Sequence, residues 1–115
     1  MSVVWLVQDV PNRDFSQAAK LGDEVKVVAL RDFPFWDVDV QEDHLATMRR
    51  KFATFNAEND FIVLVGDPIN IGIVFNMALR KGGGRFLKFD KHINGYNLVT
   101  LKGEGNNGQK DSTKS

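Results

Sequence analysis

Two stretches of the chain share one layout. In "VWLVQDVPN" (4–12) and "VLVGDPIN" (63–70) an apolar run meets an aspartate, Asp9 or Asp67, with a proline close behind. An asparagine, Asn12 or Asn70, stands three residues beyond each aspartate. At the carboxyl ends of neighbouring parallel strands, the two aspartates would flank the crevice where open α/β sheets hold ligands. A further run, "RFLKFD", would add Asp90 to that edge if it also ran parallel. Carboxylates gathered there could hold Mg²⁺, which takes oxygen ligands and commonly a phosphate partner. The candidate ligand or metal site is therefore Asp9, Asn12, Asp67, Asn70 and Asp90, serving a nucleotide or a nucleic acid.

The same residues also have a structural use. An aspartate before Pro68 suits a helix start, because its carboxylate accepts from free N–H groups and proline is preorganised at the first helical position. Asp9, ahead of Val10-Pro11, suits a turn. Neither phosphate fingerprint is met: the first turn, "QDVPNRDF", has no glycine for close approach of a pyrophosphate, and there is no GxxxxGK[ST] loop. Gly82-Gly83-Gly84 follows a helical stretch and reads as a helix stop and flexible connection. His44 and His92 have no serine or carboxylate at a spacing that suggests a triad, and both are expected at the surface. No catalytic residue is assigned.

A second constellation points to binding. "RDFPFWDVDVQEDH" places Phe33, Phe35 and Trp36 among Asp32, Asp37, Asp39, Glu42 and Asp43. Large rings supply binding energy at protein interfaces, and a charged rim selects the partner, here a basic one. The candidate partner-binding residues are Phe33, Phe35, Trp36, Asp37 and Asp39, with Trp36 as the exposed ring and Phe33 or Phe35 turned to the core. The competing reading is a connection whose aromatics cover the interior.

The elements that must position these residues follow from periodicity. Val3 to Val7 is an apolar run suited to a strand buried on both faces. "DFSQAAKLGD" predicts a short helix capped by Asp14 and stopped at Gly22, and "EVKVVAL" predicts a second strand. Pro34 keeps 31–40 irregular. Leu45, Met48, Phe52 and Phe55 form one apolar stripe of a helix over about 41–56. The run Phe61 to Val65 and the helical stretch "INIGIVFNMALR" follow. "RFLKFD" and "YNLVTL" then alternate around "KHINGY", whose Asn94-Gly95 predicts a tight hairpin with two positive-φ residues.

The order β-α-β-α-β-α-β-β gives an α/β fold: a mostly parallel five-stranded sheet, order 2-1-3-4-5, with helices on its faces and an antiparallel C-terminal hairpin edge. A single domain is expected over 1–102. The stretch 103–115, "GEGNNGQKDSTKS", has no large apolar residue and is expected to be a mobile polar tail.

The chain has 115 residues, 43% hydrophobic and 26% charged, enough to build a core. It contains no cysteine, which removes disulfides, thiolate metal sites and a cysteine nucleophile. No apolar run approaches a membrane span, so a soluble, cytoplasmic protein without a membrane partner is expected. Net charge is zero, yet residues 1–60 carry 7 Lys+Arg against 11 Asp+Glu and the remainder 8 against 4, giving −4 and +4. That balance does not indicate a nucleic-acid partner, and Arg49-Arg50-Lys51 spreads around a helix. The helix "INIGIVFNMALR" is apolar on nearly every side, so a homodimer through it or through the closing strand is expected.

The combination of "VWLVQDVPNRDF", "FIVLVGDPINIGI" and "GRFLKFDKHINGYNLVTL" resembles small uncharacterised proteins of tailed bacteriophages, over most of the chain up to about Leu101. The resemblance implies a phage product acting in the bacterial host cytoplasm during takeover of host metabolism, and brings no assigned activity. The expected function is non-enzymatic binding of a host or phage protein, without a cofactor. The alternative is a Mg²⁺-dependent or phosphate-binding protein using the aspartates.

Overall fold

Residues 1–103 are described by the computed structural model. The strands are β1 (Val3–Gln8), β2 (Glu24–Ala29), β3 (Phe61–Val63), β4 (Gly83–Asp90) and β5 (Gly95–Lys102); the helices are α1 (Ser16–Ala19), α2 (Val38–Lys51) and α3 (Pro68–Arg80). They form one five-stranded sheet in the order β2-β1-β3-β4-β5. The first four strands run parallel and β4–β5 is antiparallel. The expected α/β architecture and strand order are therefore present. The expected polar tail lies, apart from Gly103, outside the described residues.

Strand β1 is central, and all six of its residues are buried. Its alternate side chains feed two cores. Trp5 joins Met48 and Phe52 from the α2 region and Val74 and Ala78 from α3, with Ile62 and Phe86 from the sheet. On the other face Val4 and Leu6 meet Ala18 of α1, Val63 and Leu87. The larger core is rich in rings: Trp5 meets Phe52 edge-on at 5.1 Å, and Phe52 stacks on Phe55 at 4.5 Å. Buried Asp60 ties the start of the sheet to this core, accepting from Val3 N, Trp5 Nε1 and Asn56 N at 2.9, 3.0 and 2.8 Å.

Several local expectations are corrected. Helix α2 begins at Val38, three residues before the expected start, because Asp37 accepts from Val40 N and caps it. His44, expected at the surface, is buried, since it lies one turn before Met48 on the inward stripe. His92 is exposed. The hairpin has a four-residue connection, 91–94, because Gly95 is already paired with Asp90 in the ladder; only Asn94 has positive φ there, 49°. Gly83 and Gly84 are buried members of β4, not a flexible connection. Gly83 has φ 108°, and a Cβ there would collide with the Leu101 carbonyl, so glycine is needed where the β5 backbone passes close by. Helix α1 is one short turn, Ser16–Ala19, with Leu21 exposed beyond it. Helix α3 is largely covered by its own chain, and Ile69, 53% exposed, is its only large hydrophobic residue in the open.

Candidate functional site

The carboxyl ends of β1, β2 and β3 meet at one buried polar cluster built on Gln8. Gln8 Oε1 accepts from the backbone N–H of Asp67 at 2.7 Å, and Gln8 Nε2 donates to Asp32 Oδ1 at 2.7 Å. A backbone N–H can only donate, so the orientation of the Gln8 amide is fixed. Asn70 Nδ2 then donates to Gln8 Oε1 at 2.9 Å and to the Arg31 carbonyl at 2.9 Å. This leaves Asn70 Oδ1 facing His44 Nε2 at 2.9 Å, so Nε2 carries the proton of that bond. Gly66, at φ 109°, makes room for the cluster: a Cβ there would run into the Gln8 side chain. Among the described residues, no buried side-chain nitrogen or oxygen is left without a partner.

Asp67 belongs to the same structure. Its Oδ1 accepts from Ile69 N at 3.2 Å, capping α3 ahead of Pro68, and its Oδ2 accepts from Phe33 N at 2.8 Å. The strand, glycine and helix start of 61–70 thus grips the segment after β2 at Arg31 and Phe33, while Gln8 of β1 holds Asp32 between them. Fully satisfied buried polar networks of this kind fix one arrangement of the chain.

The gripped segment divides into an inner and an outer part. Pro34 is buried, and half-buried Phe33 sets its ring edge-on to His44 at 5.2 Å. Phe35 and Trp36 stand outside, 83% and 64% exposed, in edge-to-face contact at 5.5 Å. Leu30 and Val38 are exposed beside them in sequence. Asp32, Asp37 and Asp39 are exposed along the same segment, Asp37 also serving as the α2 cap. Of the expected partner-binding residues, Phe35, Trp36, Asp37 and Asp39 are therefore at the surface, whereas Phe33 is an anchor for the loop. Beside the loop a cleft of about 370 Å³ is lined by Val28, Leu30, His44 and Met48, with Arg31, Asp43 and Lys51 also on its walls.

The aspartates singled out for Mg²⁺ are placed differently from one another. Asp9 is exposed, with its backbone N–H donating to the Ala29 carbonyl at 2.9 Å. Asn12 is an exposed turn residue at φ 66°. Asn70 is fully buried in the Gln8 cluster. Asp90 accepts from His92 N at 2.9 Å and Asn97 Nδ2 at 3.0 Å, within the hairpin. Among the described residues no three His, Asp or Glu side chains are grouped so as to hold a metal ion.

Gln8, Leu30 and Val38 belong to the site although no sequence motif marks them, and His44, expected at the surface, joins it from the interior. A signal for His44 was present: it precedes Met48 by four residues, the spacing that puts both on one helix face. For Gln8 the signal was its place at the end of an otherwise apolar buried run.

Among the described residues no helix is long and apolar enough to cross a membrane. Comparison with curated proteins and with solved structures gives no match. A family model described as Phage Pam3 gp32-like protein matches residues 3–103. That match spans the whole sheet, the Gln8 cluster and the aromatic loop, and the chain belongs to this family of phage proteins.

Proposed function

We propose that this phage protein acts by binding another protein, of the host or of the phage, in the bacterial cytoplasm, and that it does no chemistry of its own. The observation carrying this reading is the pair Phe35 and Trp36, exposed together on a loop whose base is held by partly buried hydrogen bonds. Exposed rings on a pre-ordered backbone bind with little loss of conformational freedom, and aromatic anchors carry much of the energy at interfaces. The acidic rim of Asp32, Asp37 and Asp39 favours a basic partner surface, and the cleft lined by Leu30, Val28 and Met48 is a seat for one of its apolar side chains. Interference with host metabolism is one outcome of such binding.

The alternative, Mg²⁺ or phosphate held by Asp9, Asp67 and Asp90, has less support, because Asp67 gives both oxygens to backbone N–H groups. Affinity capture from bacterial lysate, followed by mass spectrometry, tests the binding reading. A basic protein captured by the parent chain and lost with Trp36→Ala supports it. Saturable heat on titration with Mg²⁺ and a nucleotide, with capture unaffected by Trp36→Ala, would favour the alternative.

A further inference from the structure

The two edges of the sheet are finished differently. At β2, Glu24 and Lys26 put charges on the strand, and Val28 and Ala29 are buried to 0% and 3% exposure. Charges and coverage are the usual protections of an edge against pairing with another chain. At β5 the only charge is the terminal Lys102, and coverage is confined to Gly95 and Tyr96 at its start. Gly95 to Leu101 contains no charged residue and no proline, and from Asn97 to Lys102 every residue is exposed.

Strand β5 is also regular. Its eight residues pair one for one with Asp90 back to Gly83, so no bulge twists the edge away. Apolar side chains stand exposed on both of its faces. Leu98 pairs with Leu87 of the α1-side core, so it lies on that face; Val99 pairs with Phe86 and lies on the face of α2 and α3, as does Leu101. Beyond Lys102 the backbone of Gly103 lies against Leu79, Gly82 and Gly83, on the inner side of β5, and among the described residues no strand pairs with the outer edge.

We propose that β5 pairs antiparallel with β5 of a second copy about a twofold axis at Leu98 or Val99, joining two sheets into one of ten strands. A second copy is the occupant that the charge pattern favours: an uncharged strip offers nothing to select a charged partner and is complementary to itself. Antiparallel twofold pairing places each apolar face of one β5 beside the same face of the other, covering Leu98 and Val99 from both copies. The aromatic loop follows β2, at the far edge of the sheet, so both copies keep Phe35 and Trp36 free. The dimer is thus bivalent for the proposed partner, and its existence does not depend on that partner.

Sedimentation over a dilution series is the test, on the full chain, on Leu98→Lys, on Val99→Lys, and on a chain ending at Gly103. The expected result is a dimer at micromolar concentration for the parent and for the shortened chain. Each lysine variant, altered at an already exposed position, should keep the parent's circular dichroism, and its melting behaviour at dilutions where the parent is monomeric, while its dissociation constant rises at least tenfold. The chain has no cysteine, so a single introduced one reports proximity. Either Leu98→Cys or Val99→Cys should form an interchain disulfide on mild oxidation, and Lys26→Cys should not. A full chain that is monomeric throughout, or a dimer indifferent to both lysines, would overturn the proposal. Dimerisation that appears only after residues 104–115 are removed would do the same and would make that segment the occupant of the edge.

Discussion

Asn70 Nδ2 donates to Gln8 Oε1 at 2.9 Å, joining the first turn of α3 to the end of β1 in the interior of the fold. The same amide holds the Arg31 carbonyl at 2.9 Å. One side chain therefore couples the central strand, the helix start and the root of the aromatic loop.

Removing that coupling should cost stability and order. Asn70→Ala leaves the Arg31 carbonyl and the His44 N–H without their partner, while Gln8 Oε1 keeps the Asp67 N–H, and each unsatisfied buried group costs about 1–3 kcal/mol. Urea unfolding should show a loss of several kcal/mol unless water enters the space. Hydrogen exchange at the Phe33 amide should accelerate beyond what the lower global stability accounts for. A variant as stable as the parent would show that the cluster does not hold the loop.

Asp67 separates capping from loop anchoring. As a cap alone it would be replaced nearly without loss by asparagine, and by alanine at a cost of about 0.5–2 kcal/mol. With Phe33 N as a second donor, asparagine can satisfy only one of the two N–H groups. Asp67→Asn is therefore expected to lose about 1.5–3 kcal/mol, the worth of a hydrogen bond to a charged group. Equal stability of Asp67→Asn and parent would reduce Asp67 to a cap.

Buried Asp60 supplies the acceptors for three donors at the opposite end of the sheet from the loop. In Asp60→Leu, Val3 N, Trp5 Nε1 and Asn56 N lose their acceptor together, and about 3–5 kcal/mol is the expected loss for breaking such a network. Thermal melting followed by the fluorescence of Trp5, in a Trp36→Phe background, measures it. Unchanged melting would mean that water replaces the carboxylate.

The short helix α1 should respond to acid. The Ser16 backbone N–H, then the Ser16 hydroxyl, holds the Asp14 carboxyl below its ordinary value. A lowered folded-state value means that this contribution is present above the unfolded value and is lost as pH falls through the folded one. An NMR titration of the Asp14 carboxyl, with the Ser16 amide shift as its partner signal, should show both moving together below the usual carboxylate range. An Asp14 titrating at or above that range would contradict the contact.

The parts of this fold legible in the sequence are those set by local pattern. The apolar run of β1, the Asp67-Pro68 helix start and the alternating hairpin strands carry their own periods, and right-handed crossovers then fix the strand order. The Gln8 cluster was not legible, because its members come together from Asp32, Asp67 and Asn70, which are 24, 59 and 62 residues away. Burial of His44 and Asp60 likewise depends on donors and acceptors that only the assembled chain brings near. Exposure of Trp36 followed from its acidic neighbours. Phe35 stands outside as well, and Phe33 is the ring set against His44.

The central claim is that Phe35 and Trp36 are binding anchors and not core residues. The direct measurement pairs thermal melting with quantitative capture of the partner for Trp36→Ala, Phe35→Ala and Asp39→Lys. Asp39 is the appropriate charge probe, since Asp37 also caps α2. The account predicts melting within experimental error of the parent for both ring truncations, with binding weakened by about 2 kcal/mol or more, roughly thirtyfold. Asp39→Lys should weaken capture as well, by a margin that shrinks at high salt. Variants that melt far below the parent, or that capture the partner as well as the parent does, would contradict the claim.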